Sequence, residues 1–301
     1  MTSSVEPSGI YSAQWIPTDA QGRVDRASLA AHIDFERRAG ISGVLALGST
    51  GEFPFFTVDE RKTVLDAVAE LAAPLPVIAN ISDIRPRDAI ELGLHAKALR
   101  LRAVALMPPM FFPVSQADML AYFFHVADAV ELPVMLYNFP ELTGKRIELA
   151  TIAAFAEQAQ MIAFKQSGAE FEYHRELIAL GREKGFVVMS GSDTRLPEVF
   201  ALGAGGAIGG LVNIVPELMV QIDRVHRLGE PGDATAAAEA MRDVGRIIDQ
   251  LTFPLNVAAG LEARGFNPGA PKSIVSTESR ALYGKIVVEL RDLLERTGIT
   301  T

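Results

Sequence analysis

Cysteine is absent from the 301 residues. That excludes disulfides, thiolate zinc sites and cysteine nucleophiles, and leaves the compartment open. Basic charge is short as well. The 28 Lys and Arg face 37 Asp and Glu, for a net charge of -9. A chain without a basic surplus is a poor partner for nucleic acid, because phosphate binding needs clustered cations. Long hydrophobic runs are also missing, since every apolar stretch is broken by Gly, Pro or charge. No membrane span is therefore expected. The N-terminus, MTSSVEPSGIYSAQW, has neither a basic start nor an apolar core. No signal peptide is expected, and a soluble cytoplasmic protein is the working expectation.

What is present is a rhythm. Hydrophobic residues make up 49% of the chain. They fall into short apolar runs, each followed by a longer amphipathic stretch. The runs are Gly9 to Trp15, Val44 to Leu47, Pro76 to Ala79, Ala103 to Met107, Pro133 to Tyr137, Met161 to Phe164, Phe186 to Met189 and Gly206 to Gly209. Each is long enough for a strand and too short for a helix. Near-continuous apolarity is what a parallel strand buried on both faces shows. Eight such units predict an α/β fold of the (β/α)8 TIM-barrel type, over residues 1–228. No G-x-G-x-x-G follows the first run, which counts against an open dinucleotide-binding sheet. After a breaker at Glu230-Pro231-Gly232-Asp233 the rhythm stops. Residues 229–301 read as a C-terminal helical extension packed on the barrel.

In such barrels the chemistry sits at the C-terminal ends of the strands. Lys165 ends the sixth run. Desolvation at a barrel mouth disfavours its charged form, and a neutral amine can attack a ketone to form an imine. Position alone does not separate this from a lysine paired with a carboxylate. Tyr137 ends the neighbouring fifth run, and adjacent strands lie about 4.8 Å apart, so the two side chains can share one cavity. A phenol there can relay protons, or simply pack its ring. Gly48-Ser49-Thr50-Gly51 ends the second run. Its amides and hydroxyls can hold a carboxylate, or form an ordinary turn with Glu52 holding the loop. Ser167 and Asp193 can bind a substrate tail, or Asp193 can cap the following helix. His32, His95, His125, His174 and His226 fall in or beside helical stretches. That counts against a metal-dependent hydrolase, and no metal site is expected.

With these motifs in this order, the sequence resembles the dihydrodipicolinate synthase / N-acetylneuraminate lyase family of class I aldolases. The likeness rests on Gly48-Ser49-Thr50-Gly51-Glu52, on Tyr137-Asn138-Phe139-Pro140, on Lys165, on Gly191-Ser192-Asp193 and on the glycine-rich run from Gly203 to Gly210. It covers nearly the whole chain. The resemblance implies that Lys165 forms an imine with a 2-oxo acid and that Tyr137 relays protons. It implies that Ser49 and Thr50 hold the 2-oxo acid carboxylate. It extends substrate contacts to Gly48, Gly51, Ser167, Gly191, Asp193, Ile208 and Thr143. It implies no metal or organic cofactor beyond the covalent imine with Lys165, a small-molecule 2-oxo acid as partner, and a homotetramer built as a dimer of dimers.

Departures narrow the expectation. The family's synthases carry an arginine soon after the tyrosine motif, where this chain has Glu141-Leu142-Thr143-Gly144. They also send a tyrosine from a neighbouring subunit after the fourth strand, where this chain has Met110-Phe111-Phe112. The Glu141 to Gly144 stretch and Lys165-Gln166-Ser167 are similar to the sialic acid lyases. Those lyases, however, set a serine and an acidic pair around the sugar, where Gly210 and Asp193-Thr194 stand here. Gly51 to Phe55 is similar to aldolases for 4-hydroxy-2-oxoglutarate, and Pro108-Pro109 to enzymes acting on 2-oxo-3-deoxy sugar acids. The expectation is a pyruvate-dependent lyase for a 2-oxo-3-deoxy sugar acid or a 4-hydroxy-2-oxo acid. The alternatives are synthase or sialic acid lyase activity proper, or a barrel that binds a 2-oxo acid without turning it over.

Overall fold

A computed structural model describes residues 7–299. The eight apolar runs become eight parallel strands: β1 (Gly9–Ala13), β2 (Gly43–Ala46), β3 (Val77–Asn80), β4 (Ala103–Leu106), β5 (Val134–Asn138), β6 (Met161–Gln166), β7 (Val187–Ser190) and β8 (Gly206–Gly209). They close in sequential order, with β1 pairing β8. Closure leaves no edge strand with unpaired backbone. Among the described residues, nine α-helices lie between and after them: α1 (Arg26–Ala39), α2 (Val58–Ala72), α3 (Pro86–Ala98), α4 (Gln116–Val130), α5 (Pro140–Thr143), α6 (Leu149–Gln158), α7 (Tyr173–Lys184), α8 (Leu196–Leu202) and α9 (Pro216–His226). The extension supplies α10 (Thr235–Ile248), α11 (Leu255–Ala263) and α12 (Thr277–Arg296).

Local chemistry sets these boundaries. Thr57 and Glu60 form a reciprocal capping box that starts α2. Ser115 caps α4 by accepting from the Asp118 amide. Gly185 ends α7 in the left-handed region, which a side chain would disfavour. Helix α6 begins at Leu149, and the separate short α5 precedes it. Gly144, at φ 68°, ends α5, and Asn138 Oδ1 takes the Ile147 amide at 3.0 Å. Helix α7 begins at Tyr173, after a loop in which Glu141 Oε1 accepts the Ala169 amide at 2.6 Å.

Alternation along the strands sorts two cores. Tyr11, Leu45, Ile78, Ala105, Met135, Ala163, Met189 and Ile208 fill the barrel interior. The other face of each strand, with Val44, Val104, Leu136 and Phe164 among its residues, packs against the helices. The interior is thus a plug of side chains, and a ligand can enter only above it. Truncating a fully buried residue of either layer, such as Leu45, costs about 2–5 kcal/mol. The five histidines all lie within helices, in α1, α3, α4, α7 and α9.

Candidate active site

Strand β6 runs two residues past its apolar run, so Lys165 lies inside the strand and continues the inward column above Ala163. Tyr137 is its register partner on β5. Both are buried, and the Lys165 Nζ stands 4.1 Å from the centroid of the Tyr137 ring. A clamp on the other face fixes that register. Asn138 Nδ2 donates to Gln166 Oε1 at 2.8 Å, and Gln166 Nε2 donates to the Ser167 carbonyl.

The loop after β2 meets this pair from the side. Ser49 Oγ lies 3.3 Å from the Tyr137 hydroxyl, close enough to share a proton. Two non-glycine residues at its ends, Leu47 and Glu52, hold φ of 58° and 57°. Such conformations persist only where the surroundings impose them, and they gather at functional loops. Here the surroundings are specific. Asn80 Nδ2 donates to the Leu47 carbonyl at 2.6 Å. Glu52 Oε2 meets Lys272 Nζ at 2.7 Å, and Lys272 also donates to the Ile16 carbonyl at 2.8 Å. Burial pushes the Lys272 ammonium below its ordinary value, against the pull of Glu52. A Cβ on Gly51 would lie 2.8 Å from the Gln14 carbonyl, so this glycine is a packing requirement.

The β7 end is built by His174. Its Nε2 pairs with Ser190 Oγ at 2.9 Å, and that oxygen accepts the Ser192 amide at 3.0 Å. The turn places Asp193 over the mouth. Asp193 does not cap the helix that follows it. Its Oδ2 accepts the Leu211 amide at 2.8 Å, and its Oδ1 is buried without a partner. Burial raises its carboxyl to about 6, opposed by the Leu211 amide and the Lys165 charge.

These ends enclose a cavity of about 400 Å³, in the range of small-ligand sites. Of the residues singled out by sequence, Lys165, Tyr137, Thr50, Ser167, Gly191, Asp193 and Ile208 line it. Ser49 reaches it through the Tyr137 hydroxyl. Gly48 and Gly51 lie in the same loop without lining the cavity. Thr143 stands apart: its hydroxyl is shared between the Phe139 and Lys145 carbonyls within the α5 turn. Sequence reasoning missed the remaining wall. Phe139 and Phe171 come from loops after β5 and β6, while Ile248, Asp249, Phe253 and Asn256 come from the extension. Phe139 and Phe253 approach with ring centroids 6.4 Å apart. The Tyr137-Asn138-Phe139-Pro140 motif pointed at Phe139, but nothing local marks residues of a distant helix as wall.

A buried lysine and tyrosine paired at the C-terminal mouth of a closed parallel barrel define the class, a (β/α)8-barrel protein with a lysine-centred site. Within that class the chain belongs to the dihydrodipicolinate synthetase family, whose sequence profile matches residues 6–289. It is a lyase of the pyruvate-dependent class I aldolase type. A 4-hydroxy-tetrahydrodipicolinate synthase from Methanococcoides burtonii is 27% identical over 94% of this chain and 98% of its own. The Escherichia coli protein YagE, named provisionally as a 2-dehydro-3-deoxy-D-gluconate aldolase, is 31% identical over 79% of this chain and 80% of its own. The crystal structure of YagE in complex with pyruvate superposes with a TM-score of 0.87 at 28% identity, covering 97% of this chain and 99% of that one.

Proposed function

We propose that this protein forms a Schiff base between Lys165 and the 2-oxo group of its substrate, and makes or breaks the bond between C3 and C4. The observation that carries the reading is the Lys165–Tyr137–Ser49 cluster at the floor of the cavity. In cleavage, Lys165 Nζ adds to the ketone carbon and water leaves. Tyr137 takes the proton of the 4-hydroxyl, with Ser49 sharing it. The C3–C4 bond breaks, an aldehyde departs, and the electrons pass into the iminium. The resulting enamine is protonated at C3 and hydrolysed to pyruvate and free lysine. Ser49 and Thr50 receive the 2-oxo acid carboxylate. The iminium is itself the electron sink, so the cycle calls for no metal or organic cofactor.

The substrate is a 2-oxo-3-deoxy sugar acid or a 4-hydroxy-2-oxo acid. The turn from Glu141 to Gly144 brings no cation to the cavity, and Leu142 is half exposed outside it. That argues against a substrate gripped there by a second carboxylate. The protein is a cytoplasmic homotetramer in this reading. Support comes from the loop after β4, where Phe111 and Phe112 are 84% and 63% exposed and stack edge to face. An apolar pair of this kind is costly to leave in water. Replacing both with serine shifts the assembly to smaller species in sedimentation.

The deciding experiment is borohydride reduction in the presence of pyruvate, followed by mass mapping. A pyruvyl adduct is expected on Lys165 and absent from Lys165→Ala. An unmodified Lys165 in the wild type removes the mechanism.

A further inference from the structure

His174 is the second residue of α7, and it is fully buried without lining the cavity. It bonds to both loops that wall the cavity beside Lys165. Its Nδ1 lies 2.9 Å from the Phe171 carbonyl, in the loop after β6. A carbonyl only accepts, so Nδ1 carries the proton. Burial holds the imidazole below its ordinary pKa, so the ring is neutral at pH 7 and its Nε2 is an acceptor. Ser190 Oγ, 2.9 Å away at the end of β7, then donates to Nε2 and itself accepts the Ser192 amide. Both ring nitrogens are thereby committed, one to each loop.

What these bonds hold is the part of the cavity away from the carboxylate loop. A substrate anchored at Lys165, with its carboxylate on Ser49 and Thr50, sends the rest of its chain away from the loop after β2. Strand β2 lies across the barrel from β6. The wall on the β6 side comes from Ser167 and Phe171 in one loop and from Gly191, Asp193 and Arg195 in the next. The two loops also touch directly. A Cβ on Gly191 would collide with Ser167 Oγ. The Arg195 guanidinium lies 3.3 Å from the Phe171 ring centroid, and that ring is 5.2 Å from the His174 ring. One imidazole behind the wall thus ties Phe171 to the turn that carries Asp193.

We infer that His174 is a positioning residue for the aldehyde partner: by bonding Phe171 and Ser190 at once, it sets the gap between the loops after β6 and β7 in which the part of the substrate beyond C3 lies. This rests on the Schiff-base reading. The imidazole makes no contact with substrate and acts through the two loops. The pyruvate half of the site, made by Lys165, Tyr137 and the loop after β2, lies outside these bonds.

The test runs the reaction in the condensing direction, with pyruvate and whichever of glyceraldehyde, glyoxylate and propanal the wild type uses best. His174→Leu removes both bonds. It should raise KM for the aldehyde about tenfold, a factor that two ordinary hydrogen bonds supply. The pyruvate concentration for half-maximal borohydride trapping on Lys165 should stay within about twofold of the wild type, since those bonds do not reach the pyruvate half. Asn sets an amide where Nδ1 stands and Gln sets one where Nε2 stands. His174→Asn thus keeps the bond to Phe171, and His174→Gln keeps the bond to Ser190. Each should recover part of the loss, and these two carry the test if the leucine variant does not fold. Ser190→Ala should raise the aldehyde KM on its own and add little to His174→Leu, because both delete the same bond. An aldehyde KM left unchanged by His174→Leu overturns the inference. So does a rise in half-maximal pyruvate by the same factor, which would mark a loosened barrel rather than a set gap. Either result leaves the Schiff-base reading standing. Failure to trap pyruvate in the wild type overturns both.

Discussion

Tyr137 serves the site through two different parts of one side chain. Its ring face holds the Lys165 ammonium, and its hydroxyl reaches Ser49. Tyr137→Phe keeps the first contact and deletes the second. The expected outcome is a fall in kcat of about 10²–10⁴-fold, typical of losing a general acid–base group. Borohydride trapping should persist, and stability should change by only ~1 kcal/mol, read from thermal melts. A loss of trapping together with kcat would mean that the hydroxyl also positions the amine. Lysine and tyrosine were legible from sequence because strand ends are short-range features, and the register of β5 and β6 then brings the two together. Asn256 was not legible. It lies 91 residues beyond Lys165 in sequence, and nothing in its local pattern reports that α11 folds back over the mouth.

Between β1 and α1 lies a polar seam whose titration sets an element's stability. Ser12 Oγ donates to Glu36 Oε1 at 2.6 Å, and Gln14 Nε2 pairs with His32 Nδ1 at 3.0 Å. Glu36 is fully buried, and burial raises its carboxyl to about 8. Burial lowers His32 to about 4, so both are neutral near pH 7. Gln14 is within hydrogen-bonding reach of Glu36, and Gln14 Oε1 and Glu36 Oε2 are both acceptors without a partner. Because the folded pKa of Glu36 lies above its unfolded value, the folded chain holds a proton that the unfolded chain gives up between about pH 4.5 and 8. Stability therefore falls as pH rises through that window. For His32 the sign is reversed: its contribution is present above about pH 6.5 and lost as pH falls toward 4. Glu36→Gln keeps an acceptor for Ser12 and cannot ionise. It should melt above the wild type at pH 8–9, with the gap closing toward pH 5. A constant gap across that range would show that Glu36 is not the titrating group.

Elements as such were well marked in the chain. Helix α4 occupies Gln116–Val130 as its periodicity indicates, with Ser115 as an unambiguous cap. The break between α5 and α6 was hidden, because it depends on Asn138 capturing the Ile147 amide across a loop, and a sequence window cannot see such a partner. Thr143 was drawn into the site by its place in a motif, yet its hydroxyl is committed to two backbone carbonyls.

At the scale of the molecule, the extension is joined to the barrel through polar contacts as well as packing. Trp15 Nε1 donates to the Pro268 carbonyl at 2.8 Å, and the Lys272–Glu52 pair ties the segment before α12 to the loop carrying Ser49. Both members of that pair are buried, with side chains 5% and 8% exposed. Lys272→Met would leave Glu52 charged and unpartnered, at a cost of about 3–5 kcal/mol in denaturant unfolding. The double variant Lys272→Met with Glu52→Gln should return most of it. If the pair also holds the loop, the single variant should raise the pyruvate concentration needed for half-maximal trapping.

The closure of the mouth by α10 and α11 also has a consequence for the newly made chain. On the ribosome, Ser49, Tyr137 and Lys165 are all synthesised before the segments that carry Ile248, Phe253 and Asn256. A nascent chain that has finished its eighth strand already carries Lys165, while the part of the cavity wall given by the extension is still unmade. Part of the wall of the site is therefore the last part of it to be translated.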